Sequence, residues 1–213
     1  MEVGMLKLIV FDCDGVLFDS RQANQEYYNH LLHHFNHPSM DEAELEFVHM
    51  HSAADSVCHI FRHYSDHNFD EIDAYRRNLG YDRFLPYMKM EEDLTPFLDR
   101  VKDTHHLAIS TNRGNTMMPL LNMYKLEKYF AKVVTSETAQ RPKPAPDGLM
   151  EIMAHFNCTA EQTIFIGDSI LDRQHSVACN VPLIAFKNDH LDADYHVTSF
   201  MDILSLPPFT APS

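Results

Sequence analysis

Short apolar runs of strand-forming residues recur along the chain, at 6–11, 107–110, 132–135, 163–166 and 183–186. They are mostly apolar at successive positions instead of alternating. That is the pattern of parallel strands covered by helices on both faces. Between them the apolar positions take a helical period. Leu94, Phe97, Leu98 and Val101 fall at i, i+3, i+4 and i+7. The same template fits Met117, Leu120, Leu121 and Tyr124, and again Leu149, Ile152, Met153 and Phe156. Strand–helix alternation from residue 86 onward predicts an α/β core built on a doubly wound, Rossmann-like parallel sheet.

Residues 19–85 break the alternation. Tyr28, Leu31, Leu32 and Phe35 have helical spacing, as do Ala54, Val57, Cys58 and Phe61, with Pro38 between the two sets. Gly80 and Pro86 mark the return. The pattern predicts a core domain of residues 1–18 and 86–213, with a small all-helical cap, 19–85, inserted after the first strand. An insert at that point is expected to lie over the strand's carboxyl end as a lid.

Composition narrows the functional classes. The chain has 213 residues and a net charge of −14, from 31 acids against 17 bases. A non-specific nucleic-acid binder needs a basic face, and so does a protein that binds an anionic membrane surface. A small anionic substrate remains compatible, because a metal ion and a few bases can reverse a local field. The four cysteines, Cys13, Cys58, Cys158 and Cys179, form no C-x-x-C pair. They read as reduced, mostly buried thiols of a cytoplasmic protein. The first strand starts near residue 6, leaving no room for a signal peptide, and no apolar run has the length of a membrane span. The proline-rich end, 206–213, is expected to fray.

The chemistry collects at the ends of the apolar runs. The first ends in Asp12-Cys13-Asp14-Gly15, two carboxylates at i and i+2. In open α/β sheets ligands bind at the carboxyl edge of the strands. A second run ends in Ser110-Thr111-Asn112-Arg113-Gly114, hydroxyls and free backbone N–H groups suited to phosphate oxygens. Lys143 lies between Pro142 and Pro144, with Pro146 close by, a stiffened stretch that can hold a cation in place. A fourth run ends in Gly167-Asp168, with Asp172 one helical turn on. Two unit charges about 4 Å apart at an effective dielectric of about 20 repel by roughly 4 kcal/mol. Several ionised acids at one sheet edge therefore require a bound divalent cation or a protonated member. Asp14 is expected to be the acid with the raised pKa.

Fifteen histidines are many for this length, and nine fall between residues 30 and 67. His59, His63 and His67 at i, i+4 and i+8 could line one helix face, but that face points away from Ala54, Val57, Cys58 and Phe61. A solvated polar stripe is the better reading than a metal site, and the same holds for His30, His33, His34 and His37. Neither G-x-x-x-x-G-K-[ST] nor G-x-G-x-x-G is present.

Taken in this order, the motifs resemble those of the haloacid dehalogenase superfamily of hydrolases, most closely its phosphoglycolate-phosphatase-like branch. The Asp-x-Asp-Gly opening is matched by Asp12, Asp14 and Gly15, and the Gly-Asp-x-x-x-Asp closing motif by Gly167, Asp168 and Asp172. The resemblance implies that Asp12 attacks phosphorus and that Asp14 acts as acid and then as base. It implies that Thr111, Asn112 and Lys143 hold the phosphoryl group, with Ser110 the alternative hydroxyl. It implies that Asp12, the backbone carbonyl of Asp14, and Asp168 ligate Mg²⁺, with Asp172 supporting directly or through water. The implied activity is hydrolysis of a small phosphorylated metabolite by a monomer or homodimer, with no nucleic-acid or membrane partner. Asp14 favours phosphate-ester hydrolysis over carbon–halogen cleavage, because the dehalogenase branch lacks that second aspartate. A phosphosugar mutase on the same core, or a non-catalytic binding module, is the alternative.

Overall fold

The computed structural model describes residues 5–51, 53–64 and 68–210. Its strands are β1 (Leu8–Phe11), β2 (Phe18–Asp19), β3 (Lys89–Met90), β4 (His106–Ser110), β5 (Lys132–Val134), β6 (Thr163–Gly167), β7 (Leu183–Phe186) and β8 (Tyr195–Val197). Six of them form one sheet in the order β5-β4-β1-β6-β7-β8. Every described pairing in it is parallel. This is the expected doubly wound sheet. The chain leaves β1 toward β4 and β5, then crosses back to β6 on β1's other side. The strand order therefore reverses between β1 and β6, where ligands bind in such sheets. β8 escapes sequence detection because only Val197 of its three residues is buried.

Both faces of the sheet are covered, which is why β1 reads as an unbroken apolar run. Leu8 and Val10 pack on one face with Ala108, Leu149, Ile152, Phe165 and Leu183. Phe11 packs among the rings of Phe97, Phe130 and Phe200. Edge-to-face rings of this kind add about 1 kcal/mol per pair beyond the area they bury.

The chain divides into two compact units, one of residues up to Phe18 and from Met90, the other Asp19–Lys89. The second unit holds α1 (Arg21–His34), α2 (Glu42–Met50), α3 (Ala53–Ile60), α4 (Phe69–Leu79) and a 3₁₀ turn, Asp82–Tyr87. Phe84 of that turn packs with Tyr27 of α1, so the helical unit runs past Pro86. A capping box of Asp41 and Glu44 starts α2, and Asn68 caps α4. On α3 the buried residues are Ser56, Val57 and Ile60, followed by Phe61, while Ala54 and Cys58 are exposed. The apolar face is thus rotated by about one residue from the expected one, because Ile60 buries far more surface than Cys58 or Ala54. α3 ends at Ile60, so His59 and His63 do not share a helix, and His67 lies outside the described residues. His34 and His37 stack on Tyr75 and Tyr64, and His51 and His59 on Phe47. These rings stack on aromatic neighbours, yet none of the described histidines between residues 30 and 64 is buried, so they remain at the solvated surface.

In the first unit follow α5 (Leu94–Val101), α6 (Met117–Met123), α7 (Asp147–Phe156), α8 (Ile170–Ala178), α9 (Phe200–Ile203) and α10 (Pro207–Thr210). The helical periodicity places α5, α6 and α7 to within a residue or two. The tail is ordered through Thr210, where Phe209 meets Phe97, and residues 211–213 lie outside the described ones. All four cysteines are free thiols, with Cys13 and Cys179 buried, Cys158 half-buried and Cys58 exposed. Burial pushes the Cys13 thiol well up, so it stays protonated between its two acidic neighbours. Among the described residues no helix is long and apolar enough to cross a membrane.

Candidate active site

Register alone brings the motifs together. Phe11 pairs with Ile109 on one side and Ile166 on the other. The next residue on each strand, Asp12, Ser110 and Gly167, therefore stands at the carboxyl edge in one row. Asp12 N donates to Ile166 O at 2.9 Å, extending the ladder to the last residue before the site. Gly15 and Gly167 leave room for the acids that follow. Gly15 has φ +77°, and a Cβ built there would fall inside the Asp168 carboxylate. A Cβ on Gly167 would collide with the side chain of Asp172. Glycine is required at both positions because carboxylates press against the backbone.

Carboxylate oxygens of Asp12, Asp168 and Asp172 all lie within 4.8 Å of one another. Lys143 is buried with them. Its Nζ is 2.8 Å from Asp12 Oδ1 and 2.5 Å from Asp172 Oδ1, and it sits over the ring of Phe165. Burial works against the Lys143 ammonium, but Asp12 and Asp172 outweigh it and raise its pKa. Burial pushes Asp12 up to about 7, partly opposed by Lys143 and reinforced by Asp172. Burial likewise raises Asp168, with the Asp12 and Asp172 charges adding to it. Asp172 goes the other way. Burial raises it, yet Lys143 and the Ser169 turn together hold it below the usual carboxylate range. Its Oδ2 accepts from Ser169 Oγ at 2.7 Å and from the backbone N–H groups of Ser169 and Asp168 at 3.1 and 3.2 Å. Both Asp172 oxygens are therefore already in use.

Asp14 stands apart from that trio. Its two carboxylate oxygens accept from Arg113, Oδ1 from Nη2 at 2.5 Å and Oδ2 from Nε at 3.0 Å. The acids that burial raises are thus Asp12 and Asp168, while Asp14 faces a full guanidinium. Arg113 was not singled out from the sequence. The signal available was a base directly after the hydroxyl-bearing end of a buried strand.

The two candidate hydroxyls separate clearly. His175 Nδ1 lies 2.6 Å from the Ala145 carbonyl, which can only accept, so this nitrogen carries the proton. Nε2 must then accept from Ser110 Oγ, at 3.0 Å. Ser110 is therefore committed to the core. Thr111 Oγ1 accepts from Arg113 N at 3.1 Å and keeps its own proton available. Asn112, which the resemblance puts on the phosphate, has both ends of its amide on the Lys143 backbone. Oδ1 accepts from Lys143 N at 2.9 Å and Nδ2 donates to Lys143 O at 3.0 Å. Its side chain fixes the lysine loop instead of reaching for a ligand.

His175 is a second residue the sequence reading passed over, although it shares a buried helix face with Asp172 at i+3. Burial lowers its pKa to about 4, with Lys143 adding to the shift. A neutral buried imidazole stabilises the fold at neutral pH. That contribution is lost as the unfolded chain becomes protonated, between pH 6.5 and about 4. The shift corresponds to about 3 kcal/mol. Urea unfolding at pH 4.5 and 7.5 should therefore show a larger acid loss for the wild type than for His175→Gln. Equal losses would show that His175 is not the group responsible.

With this geometry in view, the relatives are informative. The family model for haloacid dehalogenase-like hydrolases matches residues 9–186. A phosphoglycolate phosphatase of Pseudomonas syringae pv. tomato is 29% identical over 190 residues, covering 84% of this chain and 68% of its own. A pyrophosphatase of Listeria monocytogenes is 26% identical over 175 residues, covering 79% of this chain and 77% of its own. The crystal structure of a subfamily IA hydrolase of the same superfamily from Geobacter sulfurreducens superposes with a TM-score of 0.83 at 29% identity, covering 93% of this chain and 98% of that one. Sheet order, the acids at the switch point and the span of the family match agree: the chain belongs to the haloacid dehalogenase-like hydrolases.

Proposed function

We propose that the protein is a Mg²⁺-dependent phosphatase that hydrolyses a small phosphomonoester through an aspartyl-phosphate on Asp12. The observation that carries this reading is the buried trio of Asp12, Asp168 and Asp172 with a single ammonium, Lys143, among them. Ionised, the four groups carry an excess of two negative charges in a site of hard oxygen donors. That charge and donor set fit Mg²⁺. Asp12, Asp168 and the backbone carbonyl of Asp14 would hold the ion. Asp172, its oxygens taken by Lys143 and the Ser169 turn, supports the site from behind. Bound there, Mg²⁺ would offset the repulsion between a carboxylate nucleophile and a phosphate dianion.

The side chains divide the remaining work. An Asp12 oxygen attacks phosphorus, and the ester P–O bond breaks with its electron pair on the leaving oxygen. Asp14 supplies the proton that oxygen takes. Thr111 donates its free hydroxyl proton, and Lys143 its charge, to the phosphoryl oxygens in flight. In the second step a water attacks phosphorus, Asp14 takes the water's proton, and the P–O bond to Asp12 breaks to return its carboxylate. A carboxylate nucleophile splits one hard displacement into two easier ones. Asn112 and His175 hold the lysine loop in place throughout. The named activities of the relatives support phosphoryl hydrolysis and leave the ester open.

The test is free-phosphate release from a panel of phosphoglycolate, glycerol and hexose phosphates and pyrophosphate, with Mg²⁺ or with chelator. Metal-dependent release is expected, and the ranking of esters would name the substrate class. Interconversion of hexose phosphates with little phosphate released would turn the reading to a phosphosugar mutase. Metal binding with neither reaction would turn it to a binding module.

A further inference from the structure

We infer that Asn188 is the positioning residue for Asp168, and that it sets how tightly the site holds its divalent cation. The inference rests on the Mg²⁺-dependent reading above and deepens it. Asp168 differs from the other acids of the site. Asp12 and Asp172 both pair with Lys143, and Asp14 is gripped by Arg113. Among the described residues no group donates a hydrogen bond to the Asp168 carboxylate. Asp168 is held by its backbone instead. Its N–H donates to Asp172 Oδ2 at 3.2 Å, and its carbonyl accepts from Asn188 Nδ2 at 2.7 Å. The acid is fixed from behind and its oxygens are left clear for a cation.

The need for that hold follows from the sheet. Asp168 is the first residue beyond β6, and Gly167 is the last of that strand to pair with β7, opposite Ala185. Past that point two side-chain bonds take over from the ladder. They pin the peptide units on both sides of Asp168, and with them the direction of its Cα–Cβ bond. The carboxylate then lies against the backbone of Gly15, where a Cβ would collide with it. Gly15 directly follows Asp14, whose backbone carbonyl is another proposed ligand. A small displacement of Asp168 therefore changes the spacing between donors. Mg²⁺ is sensitive to that spacing, because it demands short bonds in near-ideal octahedral geometry.

Asn188 is itself held. It stands two residues past the end of β7, and its Oδ1 accepts from His190 N at 3.1 Å. A carbonyl only accepts and a backbone N–H only donates, so these two partners fix which end of the amide faces Asp168. Just before it, Lys187 N donates to Val197 O at 2.8 Å, and the Lys187 ammonium pairs with Glu91 at 2.6 Å. The loop that carries Asn188 is thus tied to β8 and to the chain beside β3. Asn188 carries no charge and no titrating proton, so its effect on the site is one of geometry. Partners that orient a metal ligand from outside in this way are worth about 10–100-fold in metal affinity.

The experiment is a Mn²⁺ titration followed by electron paramagnetic resonance on wild type, Asn188→Ser and Asn188→Leu, with thermal unfolding of the same samples in chelator. Mn²⁺ stands in for Mg²⁺ because it takes the same octahedral oxygen donors. Serine keeps an oxygen for His190 N–H but is too short to reach Asp168. Leucine keeps the volume and loses both bonds. Both variants are expected to bind Mn²⁺ about 10–100-fold more weakly than wild type. The Mg²⁺ concentration for half-maximal phosphate release should rise by a similar factor, with most of the wild-type rate recovered at saturating Mg²⁺. Asn188→Leu carries the test if the serine variant does not fold. Wild-type Mn²⁺ affinity in the serine variant would overturn the inference, since the turn and not the bond to Asp168 would then matter. A lower Tm in chelator with unchanged Mn²⁺ affinity would overturn it too, and leave the bond a structural one. The wild type separates the two claims. No Mn²⁺ binding and no Mg²⁺-dependent phosphate release would sink the metal-dependent reading itself, whereas wild-type binding that both variants match sinks only the role of Asn188.

Discussion

Asp12→Asn should remove turnover and, at the same time, make the metal-free protein more stable. Loss of the proposed nucleophile is expected to cost on the order of 10³-fold or more in rate. The stability gain follows from the site's electrostatics. Burial raises the folded-state pKa of Asp12 from 3.8 to about 7, so the folded protein prefers it protonated. The resulting contribution is fully present below pH 3.8 and is lost as the pH rises through about 7. At pH 8 an ionised Asp12 then costs about 2–4 kcal/mol, and asparagine does not. For a chain of this size that is roughly 5–10 °C in Tm. Thermal unfolding in chelator at pH 8 and pH 4 reads it out, with the variant more stable at pH 8 and the difference closing at pH 4. A variant no more stable at pH 8 would show that Lys143 already compensates the charge in full.

Lys143→Met should do the reverse and destabilise strongly. Its ammonium is the only described base within salt-bridge distance of Asp12 and Asp172. Removing one member of a buried ion cluster leaves the others uncompensated, typically at about 3–5 kcal/mol. Turnover should fall with it, since in the proposed mechanism Lys143 is the fixed charge beside Asp12. Adding Asp172→Asn to Lys143→Met should recover part of the stability in urea unfolding at pH 7.5 without recovering phosphate release. If Lys143→Met alone unfolds at the wild-type urea concentration, the ion cluster is not what holds this edge of the sheet.

These two residues also show where sequence reading succeeds and where it stops. That Asp12 ends a buried strand is local information, because an apolar run followed by acids and a glycine says so without reference to anything else. Lys143 stands out locally as well, as a base between prolines. Its partners do not. The bond from Lys143 to Asp172 spans 29 residues, and the one from Arg113 to Asp14 spans 99. The apolar face of α3 was misjudged for a related reason. Helical spacing marks Ala54, Val57, Cys58 and Phe61, whereas the core of the helical unit takes Val57, Ile60 and Phe61.

The type and spacing of most strands and helices, and the acids that end two of the strands, were determined by the sequence itself, since each depends on neighbours a few residues apart. Tertiary structure decided the rest. It committed Ser110 to His175 and left Thr111 available, turned Asn112 onto the lysine loop, and gave Asp172 to Lys143 and Asp14 to Arg113. The physical reason is that a polar group in a crowded, buried edge bonds to whatever donor or acceptor the sheet register sets within about 3 Å, and that neighbour is fixed by the path of the whole chain.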